Sequence, residues 1–185
     1  MILGLNKSTM TPAIVIETPR LILRTVTLAD VDGVACSWKL DEGAISTVEA
    51  VQKIEVMMAH HAQNRPGKIV HLCLTMIFKA TNDFIGWCGL DHTNPKDADP
   101  ALFYLLKSSY WGQGLATEAA GALLNYAFGQ LELASIHGGA APDNLASKRV
   151  MEKIGMNYLG LDDEGGYAFQ ITRDEYLTKS RKRRG

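Results

Sequence analysis

The segment 107–118, which reads KSSYWGQGLATE, constrains the fold of this chain more than any other. It joins a run of strand-forming residues, 101–107, to a stretch with helical periodicity, 112–130. Gly112 and Gly114 allow the backbone to turn sharply and to approach a ligand closely. The helix start that follows presents unpaired N–H groups and a partial positive charge. The segment therefore predicts a strand, a turn and a helix that form an anion site suited to a pyrophosphate.

Two well-known nucleotide-binding patterns do not account for this segment. A Walker loop reads G-x-x-x-x-G-K-[ST], and its Lys and Ser/Thr are missing here. The dinucleotide pattern G-x-G-x-x-G would need a third glycine where Thr117 stands. On spacing alone, a glycine-rich helix start that binds no ligand stays open beside the anion site.

Strand-forming and helix-forming stretches follow one another along the whole chain. Apolar alternation and β-branched residues predict strands at 20–24, 68–78, 84–91, 101–107, 133–141, 157–161 and 167–172. Helical periodicity predicts helices at about 28–39, 46–64, 112–130, and from Asp143 or Asn144 to 154. Ser46 and Glu49 form a capping box at the second helix, and Gly155 ends the fourth. This order predicts the mixed α/β (α+β) class with one sheet.

The net charge of −1 is unevenly distributed over the 185 residues. Five basic residues stand among the last seven positions: Lys179, Arg181, Lys182, Arg183 and Arg184. Without them the chain carries 14 basic and 20 acidic residues, a net charge of −6. An acidic body is a poor general binder of nucleic acid, which requires a basic face. We expect a solvated, frayed terminus there, with a tail contact to RNA or an acidic partner as the alternative.

These features predict an N-terminal arm (1–15), one domain (16–177) and a basic C-terminal tail (178–185). The sequence shows no signal-peptide pattern and no run of ~18 apolar residues that could span a membrane. Cys36, Cys73 and Cys88 are odd in number and widely spaced, which favours reduced thiols over a disulfide framework or a zinc site. We therefore expect a cytoplasmic protein, a monomer or homodimer, without metal.

The motif YWGQGLATEA at 110–119 resembles the acetyl-CoA loop of the GNAT family of N-acetyltransferases, R/Q-x-x-G-x-G/A. Gly112, Gly114 and Ala116 match, whereas Trp111 occupies the usual Arg/Gln position, as in the branch of ribosomal-protein N-terminal acetyltransferases. Segments 18–24 (TPRLILR), 144–156 (NLASKRVMEKIGM) and 169–176 (FQITRDEY) are similar to the same branch. The resemblance covers about 17–176. It implies a mostly antiparallel, twisted central sheet flanked by helices, the acyl-CoA N-acyltransferase fold.

The resemblance also implies where acetyl-CoA, the cosubstrate, binds. Backbone N–H groups of the loop would hold the pyrophosphate, and the strand before it would pair with the pantetheine arm. The N–H of Leu105 or Leu106 would face the thioester oxygen. Asn144 would bind the pantetheine amide, or would only cap its helix. The implied contacts are Leu105, Leu106, Lys107, Trp111, Gly112, Gln113, Gly114, Leu115, Ala116, Thr117, Asn144 and Ser147.

The catalytic groups are less determined by the sequence. An amine must be neutral to attack, so a base is required, and an acid can protonate the leaving thiolate. Asp91 and His92 end a predicted strand beside the acceptor cleft and are the candidate base, although a surface role for His92 is the alternative. His71 and His137, within strands, are further alternatives.

For the acid, the family's tyrosine position holds Met151, which has no proton to donate. Ser147, one turn earlier on the same helix face, is the candidate for a hydrogen bond to the thiolate; simple packing beside CoA is the alternative. Glu118 is interpreted as structural. The missing tyrosine also leaves open a non-catalytic, acyl-CoA-binding regulatory module.

The acceptor is expected to be a primary amine, either a protein N-terminus or a small molecule. The two helices at about 28–39 and 46–64 and the loop 91–100 should line its entrance. Acidic groups there would favour a cationic amine: Asp41, Glu42, Asp97 and Asp99.

Overall fold

A computed structural model describes residues 13–92 and 99–182 of the chain. The strands are β1 (Val15–Glu17), β2 (Leu21–Thr25), β3 (His71–Phe78), β4 (Asp83–Asp91), β5 (Ala101–Leu106), β6 (Ser135–Ala140), β7 (Asn157–Leu161) and β8 (Tyr167–Thr172). The helices are α1 (Val31–Ser37), α2 (Thr47–His61), α3 (Leu115–Gly129), α4 (Leu145–Ile154) and α5 (Arg173–Lys182). The predicted strands and helices are thereby confirmed in type and order.

Eight strands form one sheet in the order β1-β2-β3-β4-β5-β6-β8-β7. Neighbouring strands are antiparallel except β5 and β6, which run parallel and are paired through Ala101 and His137. The N–H of His137 donates to the carbonyl of Pro100 at this end (3.0 Å). Beyond that pair the register of β5 and β6 stops, and a cavity lies between them. The mostly antiparallel sheet flanked by helices confirms the predicted fold class.

The sheet separates two hydrophobic clusters because successive side chains of a strand point to opposite faces. On one face, α3 and α4 pack on β5 through Leu102 and Leu106. On the other face, α1 and α2 pack on Trp87 of β4, with Phe103 of β5 at the edge of this cluster. The β5 side chains that belong to the two clusters therefore alternate along the strand, with Leu102 and Leu106 in one and Phe103 beside the other.

The C-terminal region differs from the frayed terminus expected from the sequence. Helix α5 runs from Arg173 to Lys182, into the segment that we assigned to the basic tail. Its start is held by Glu175, which accepts a hydrogen bond from the N–H of Thr172 (2.9 Å). Lys179 donates to the carbonyl of Gly155 (2.9 Å) and to Oδ1 of Asn157 (2.6 Å). The first basic residue of the cluster thus belongs to the domain, whereas a contact of the others with RNA stays a prediction.

Candidate active site

The glycine-rich segment forms the strand, turn and helix that its sequence predicts. After β5, a single 3-10 turn (Ser108–Tyr110) leads into a bend with φ of +72° at Gly112 and +77° at Gly114. Both values lie in the left-handed region, which glycine adopts at little cost. Gly114 is the N-cap of α3, and the first intrahelical bond runs from the N–H of Glu118 to its carbonyl (3.0 Å). The N–H groups of Leu115 to Thr117 therefore have no partner within the helix.

Arg20, at the start of β2, connects this loop to the first turn of α3. Its Nη1 donates to the carbonyl of Gln113 (2.9 Å), and its Nε donates to the Glu118 carboxylate (2.7 Å). Thr18 Oγ1 donates to the same carboxylate (2.6 Å). Burial opposes the charge of Glu118, but the bonds from Thr18 and Arg20 outweigh it and hold the pKa of Glu118 below its usual range. Glu118 is therefore structural, as expected, and it fixes the shape of the loop.

Trp111, which replaces the usual Arg/Gln of the motif, contributes to the loop through its indole N–H. That group donates to the carbonyl of Leu106 (2.9 Å), while two thirds of the residue (67%) stays exposed. The side chain thus ties the loop to the end of β5 with its ring facing outward.

A cavity of about 220 Å³ occupies the gap where β5 and β6 part, and we call it the wedge cavity. Its lining includes Leu102, Phe103, Tyr104, Gly139, Ala140, Ala141, Asn144, Ser147 and Met151. Asn144 caps α4 by accepting from the N–H of Ser147 (2.9 Å), so the predicted cap is present. Met151 is buried in the wall, where its thioether has no proton to give.

Tyr104 is a residue of the wedge cavity that the sequence did not single out. Its hydroxyl lies 2.7 Å from Ser147 Oγ, so a phenol lies in the cavity that Met151 also lines. Burial raises the pKa of Tyr104, although the hydrogen bond with Ser147 acts in the opposite direction. The raised pKa keeps the phenol protonated at neutral pH. The apolar alternation of 101–107 could have placed Tyr104 on the same face as Leu102 and Leu106, but not beside Ser147.

The register of β5 refines which backbone groups face the wedge cavity. The N–H of Lys107 donates to the carbonyl of Ile85 in β4 (2.9 Å). The carbonyl of Pro100, in contrast, accepts from the N–H of His137 in β6. Backbone groups alternate in direction along a strand, so Leu105 is directed toward β4, and Tyr104 and Leu106 toward the wedge. Of the predicted pair, this geometry favours Leu106 over Leu105 as the oxyanion donor and adds Tyr104. It does not support the predicted pairing of Lys107 with the pantetheine arm.

A second cavity of about 630 Å³ opens between α2 and the other face of β3, β4 and β5, and we call it the acceptor cavity. Aromatic and aliphatic residues form much of its wall: Trp38, Val56, Met57, Trp87, Phe103 and Leu105. The remaining lining residues are Glu49, Gln52, Lys53, His60, His71, Cys73 and Asp91. Phe103 lines both cavities, so each of them reaches the middle of β5.

The structure separates the candidate bases. Asp91 lines the acceptor cavity, with Oδ1 3.4 Å from Nδ1 of His71, which was an alternative. His92 and His137 are not among the described residues that line it. The N–H of His92 donates to the carbonyl of Val70 (2.8 Å), which continues the pairing of β3 and β4.

Two of the acidic residues expected at the entrance, Asp41 and Asp99, are not among the described residues that line the acceptor cavity. Asp41 accepts a hydrogen bond from the N–H of Ser108 (2.7 Å), and Asp99 accepts from Ser135 and from Gln170 (2.8 Å). Both therefore satisfy groups of the fold itself. Asp97 lies outside the described residues. Among the described residues, the carboxylates that line the acceptor cavity are those of Glu49 and Asp91.

The described cysteines are free thiols in three different environments. Cys36 is exposed, while Cys88 is buried, and burial raises its pKa. Burial raises the pKa of Cys73, in the wall of the acceptor cavity, to about 12. Over 13–92 and 99–182 we find no group of three His, Cys, Asp or Glu residues placed to hold a metal ion. Over the same ranges, no helix has the length and apolar character needed to cross a membrane.

Comparison with known proteins gives matches over most of the chain. The family model for the acetyltransferase (GNAT) domain matches residues 20–157. The uncharacterized N-acetyltransferase p20 of Bacillus licheniformis is 26% identical over 179 residues, which are 86% of this chain and 96% of that protein. FsC-acetyl coenzyme A-N(2)-transacetylase of Aspergillus fumigatus is 30% identical over 123 residues, 56% of this chain and 52% of that protein. Ribosomal-protein-S5-alanine acetyltransferase from Vibrio fischeri has a similar fold, with a TM-score of 0.72 at 18% identity, covering 88% of this chain and 98% of that chain.

Proposed function

The chain belongs to the GNAT acetyltransferase family and is an N-acetyltransferase; from that premise we propose that it moves an acetyl group from acetyl-CoA directly to a primary amine in a ternary complex. The observation that carries this proposal is that two cavities, one on each side of β5, share Phe103 as a lining residue. One cavity leads from there toward α4, and the other opens toward α2. A thioester and an amine that enter by separate routes would meet at β5, which direct transfer requires.

Acetyl-CoA is proposed to lie along the glycine-rich loop and the wedge cavity. The N–H groups of Gly112 to Thr117 would bind the pyrophosphate, because a helix start combines unpaired donors with positive potential. The pantetheine arm would enter the gap between β5 and β6 and bond to backbone groups of Tyr104 and Leu106 and to Asn144. The A. fumigatus relative, named for acetyl coenzyme A, supports this choice of cosubstrate.

The same arrangement suggests how the leaving thiolate is stabilised. Attack of the amine would place negative charge on the thioester oxygen, and a wedge-facing N–H of Tyr104 or Leu106 would donate a hydrogen bond to that oxygen. Departure of CoA would place charge on sulfur beside the hydroxyl pair of Tyr104 and Ser147. Since burial keeps the phenol of Tyr104 protonated, this pair can donate a hydrogen bond or a proton to the thiolate.

The acceptor is proposed to be a primary amine carried by an apolar or aromatic body. Trp38, Trp87 and Phe103 form apolar walls, while Glu49 and Asp91 provide negative charge for an ammonium group. A protein N-terminus and a small-molecule amine both meet this description. The V. fischeri fold neighbour, named for a ribosomal protein, and the A. fumigatus relative, named for FsC, illustrate that acceptors differ within the family.

Incubation with acetyl-CoA and a panel of amines tests the proposal. The panel contains 2-phenylethylamine, spermidine, and peptides that begin with alanine or serine. Mass spectrometry should detect a product heavier by one acetyl group, with an equal amount of free CoA thiol. Calorimetric binding of acetyl-CoA without any acetylated product would instead support the non-catalytic module. If acetyl-CoA does not bind and no product forms, both the acetyltransferase proposal and the non-catalytic module are contradicted.

A further inference from the structure

One imidazole and one carboxylate face each other in the acceptor cavity. His71 opens β3, Asp91 closes β4, and the two residues are direct partners in the antiparallel register. Nδ1 of His71 lies 3.4 Å from Oδ1 of Asp91, and the two side chains are 21% and 43% exposed. Catalytic hydrogen bonds of this length in a free enzyme commonly shorten when substrate binds. The pair is thus partly shielded and within reach of a molecule in the cavity.

The imidazole of His71 is held in a fixed position. Its ring stacks on Phe103, with ring centroids 5.6 Å apart and planes 13° apart, and His60 contacts it edge-on at 5.8 Å. The carbonyl of His71 accepts from Nδ2 of Asn64 (2.9 Å), which fixes the strand end. Rings and backbone together restrain the imidazole, as a catalytic base requires.

Phe103 relates this imidazole to the proposed acetyl-CoA site. Because Phe103 lines both cavities, it stands between the proposed sites of the acceptor and the thioester. His71 stacks on that ring from the acceptor side, whereas Tyr104, the next residue of β5, faces Ser147 in the wedge cavity. A base and an acid thus stand on opposite sides of the strand at which the acetyl group would be transferred.

We propose that His71 is the base that deprotonates the acceptor amine, with Asp91 as the residue that positions it; this rests on the proposed acetyltransferase function. Nδ1–H of His71 donates to Asp91, and Nε2 accepts one proton from the ammonium group. The neutral amine attacks the thioester carbon, a C–N bond forms, and the C–S bond breaks with its electron pair on sulfur. The second proton lost by the nitrogen passes to the CoA sulfur, and His71 returns its proton to solvent.

The acceptor cavity is also lined by titratable groups other than His71. Helix α2 contributes Glu49, Lys53 and His60, β3 contributes Cys73, and β4 contributes Asp91. The ammonium of Lys53 lies over the ring of Trp38 (4.6 Å) and 3.5 Å from the carboxylate of Glu49, so its positive charge interacts with both. Of the carboxylates, Asp91 is the one with a described contact to His71.

Steady-state kinetics of His71→Gln and His92→Gln distinguish this base from the sequence-based candidate. We expect His71→Gln to lower kcat about 100-fold or more, the range of general base catalysis. Its remaining rate should rise with pH as the amine deprotonates in solution, while the Kd of acetyl-CoA from calorimetry stays within about twofold. His92→Gln should retain most of the activity. An unchanged kcat in His71→Gln, beside an active wild type, overturns this inference and leaves the proposed function intact.

A second measurement does not depend on the acceptor. Long-range ¹H–¹⁵N spectra of the acetyl-CoA-bound protein, assigned with His71→Gln, report which nitrogen of neutral His71 carries hydrogen. We expect hydrogen on Nδ1 and a free Nε2, and loss of that preference in Asp91→Asn. A neutral ring with hydrogen mainly on Nε2 overturns the proposal, because Nε2 could not accept a proton. Absence of acetyl-CoA binding in the wild type would contradict the proposed function itself.

Discussion

The hydroxyl of Tyr104 lies 2.7 Å from the hydroxyl of Ser147, a residue 43 positions away in the chain. Tyr104 also reaches the carbonyl of Ser147 (3.2 Å), so the phenol spans the gap between β5 and α4. Where the family has a tyrosine on α4, this chain has Met151 on α4 and a tyrosine on the facing strand. The proton donor is thus proposed to come from the other wall of the same cavity.

Tyr104→Phe removes the phenol hydroxyl and keeps the ring. We expect kcat to fall by about 10- to 100-fold, because the thiolate loses its donor, with little change in the Kd of acetyl-CoA. Ser147→Ala should have a smaller effect, since Tyr104 can still reach the sulfur. Steady-state kinetics with calorimetry measures both quantities. Equal kcat values for Tyr104→Phe and the wild type would exclude the phenol from the reaction.

Arg20→Ala should weaken acetyl-CoA binding without touching the reacting atoms. Loss of its bonds to Gln113 and Glu118 frees the loop, and a charge-assisted network of this kind contributes about 1–3 kcal/mol, or roughly 5- to 150-fold in Kd. Lys79→Ala is the matched control, because it breaks the ion pair with Glu17 (2.9 Å) on the exposed surface. Calorimetry should show a weaker Kd for Arg20→Ala alone.

The contribution of Glu118 to stability should depend on pH in acid. Its folded pKa lies below its ordinary value of 4.5, so the carboxylate stabilises the fold above that value. The contribution is lost as the pH falls through the lower, folded pKa. Denaturant unfolding of the wild type and Glu118→Gln should therefore differ most at neutral pH, and the difference should shrink as the pH falls below 4.5. A difference that grows on acidification would contradict this assignment.

Two glycines of the same region should respond to alanine with opposite signs. At Gly112, φ is +72°, so alanine costs about 1–2 kcal/mol in the left-handed region, although no atom lies within 4 Å of the added Cβ. Gly121 also has an open Cβ position but lies inside α3, where alanine gains about 1 kcal/mol. Thermal unfolding should place the Tm of Gly112→Ala below that of the wild type and the Tm of Gly121→Ala above it.

The described thiols should differ in reactivity. Iodoacetamide at about pH 8 should modify exposed Cys36, because thiolate formation and access govern the rate. Cys88 is fully buried and its pKa is raised by that burial, so it should react only after unfolding. Peptide mass spectrometry with and without denaturant distinguishes the two. Rapid modification of Cys88 in the folded protein would show that the core opens on this timescale.

Local structure was predictable wherever neighbours in sequence carry the information. Ser46 does cap α2 by accepting from the N–H of Glu49 (3.1 Å), and Asn144 caps α4 in the same way. The C-terminal tail is the segment for which prediction from local sequence differs from the structure. Its charges predicted a solvated end, but Lys179 bonds to Gly155 and Asn157, which lie more than twenty positions earlier.

The glycine-rich loop is the part of this protein that the sequence by itself determined. Its positive φ values and its helix start follow from residues within a few positions of one another. The wedge cavity, the pair of Tyr104 with Ser147 and the pair of His71 with Asp91 were decided only by the tertiary structure. The wedge cavity and the pair of Tyr104 with Ser147 depend on the end of pairing between β5 and β6, whereas the pair of His71 with Asp91 depends on the register of β3 and β4. Side chains far apart in sequence meet only when the sheet assembles.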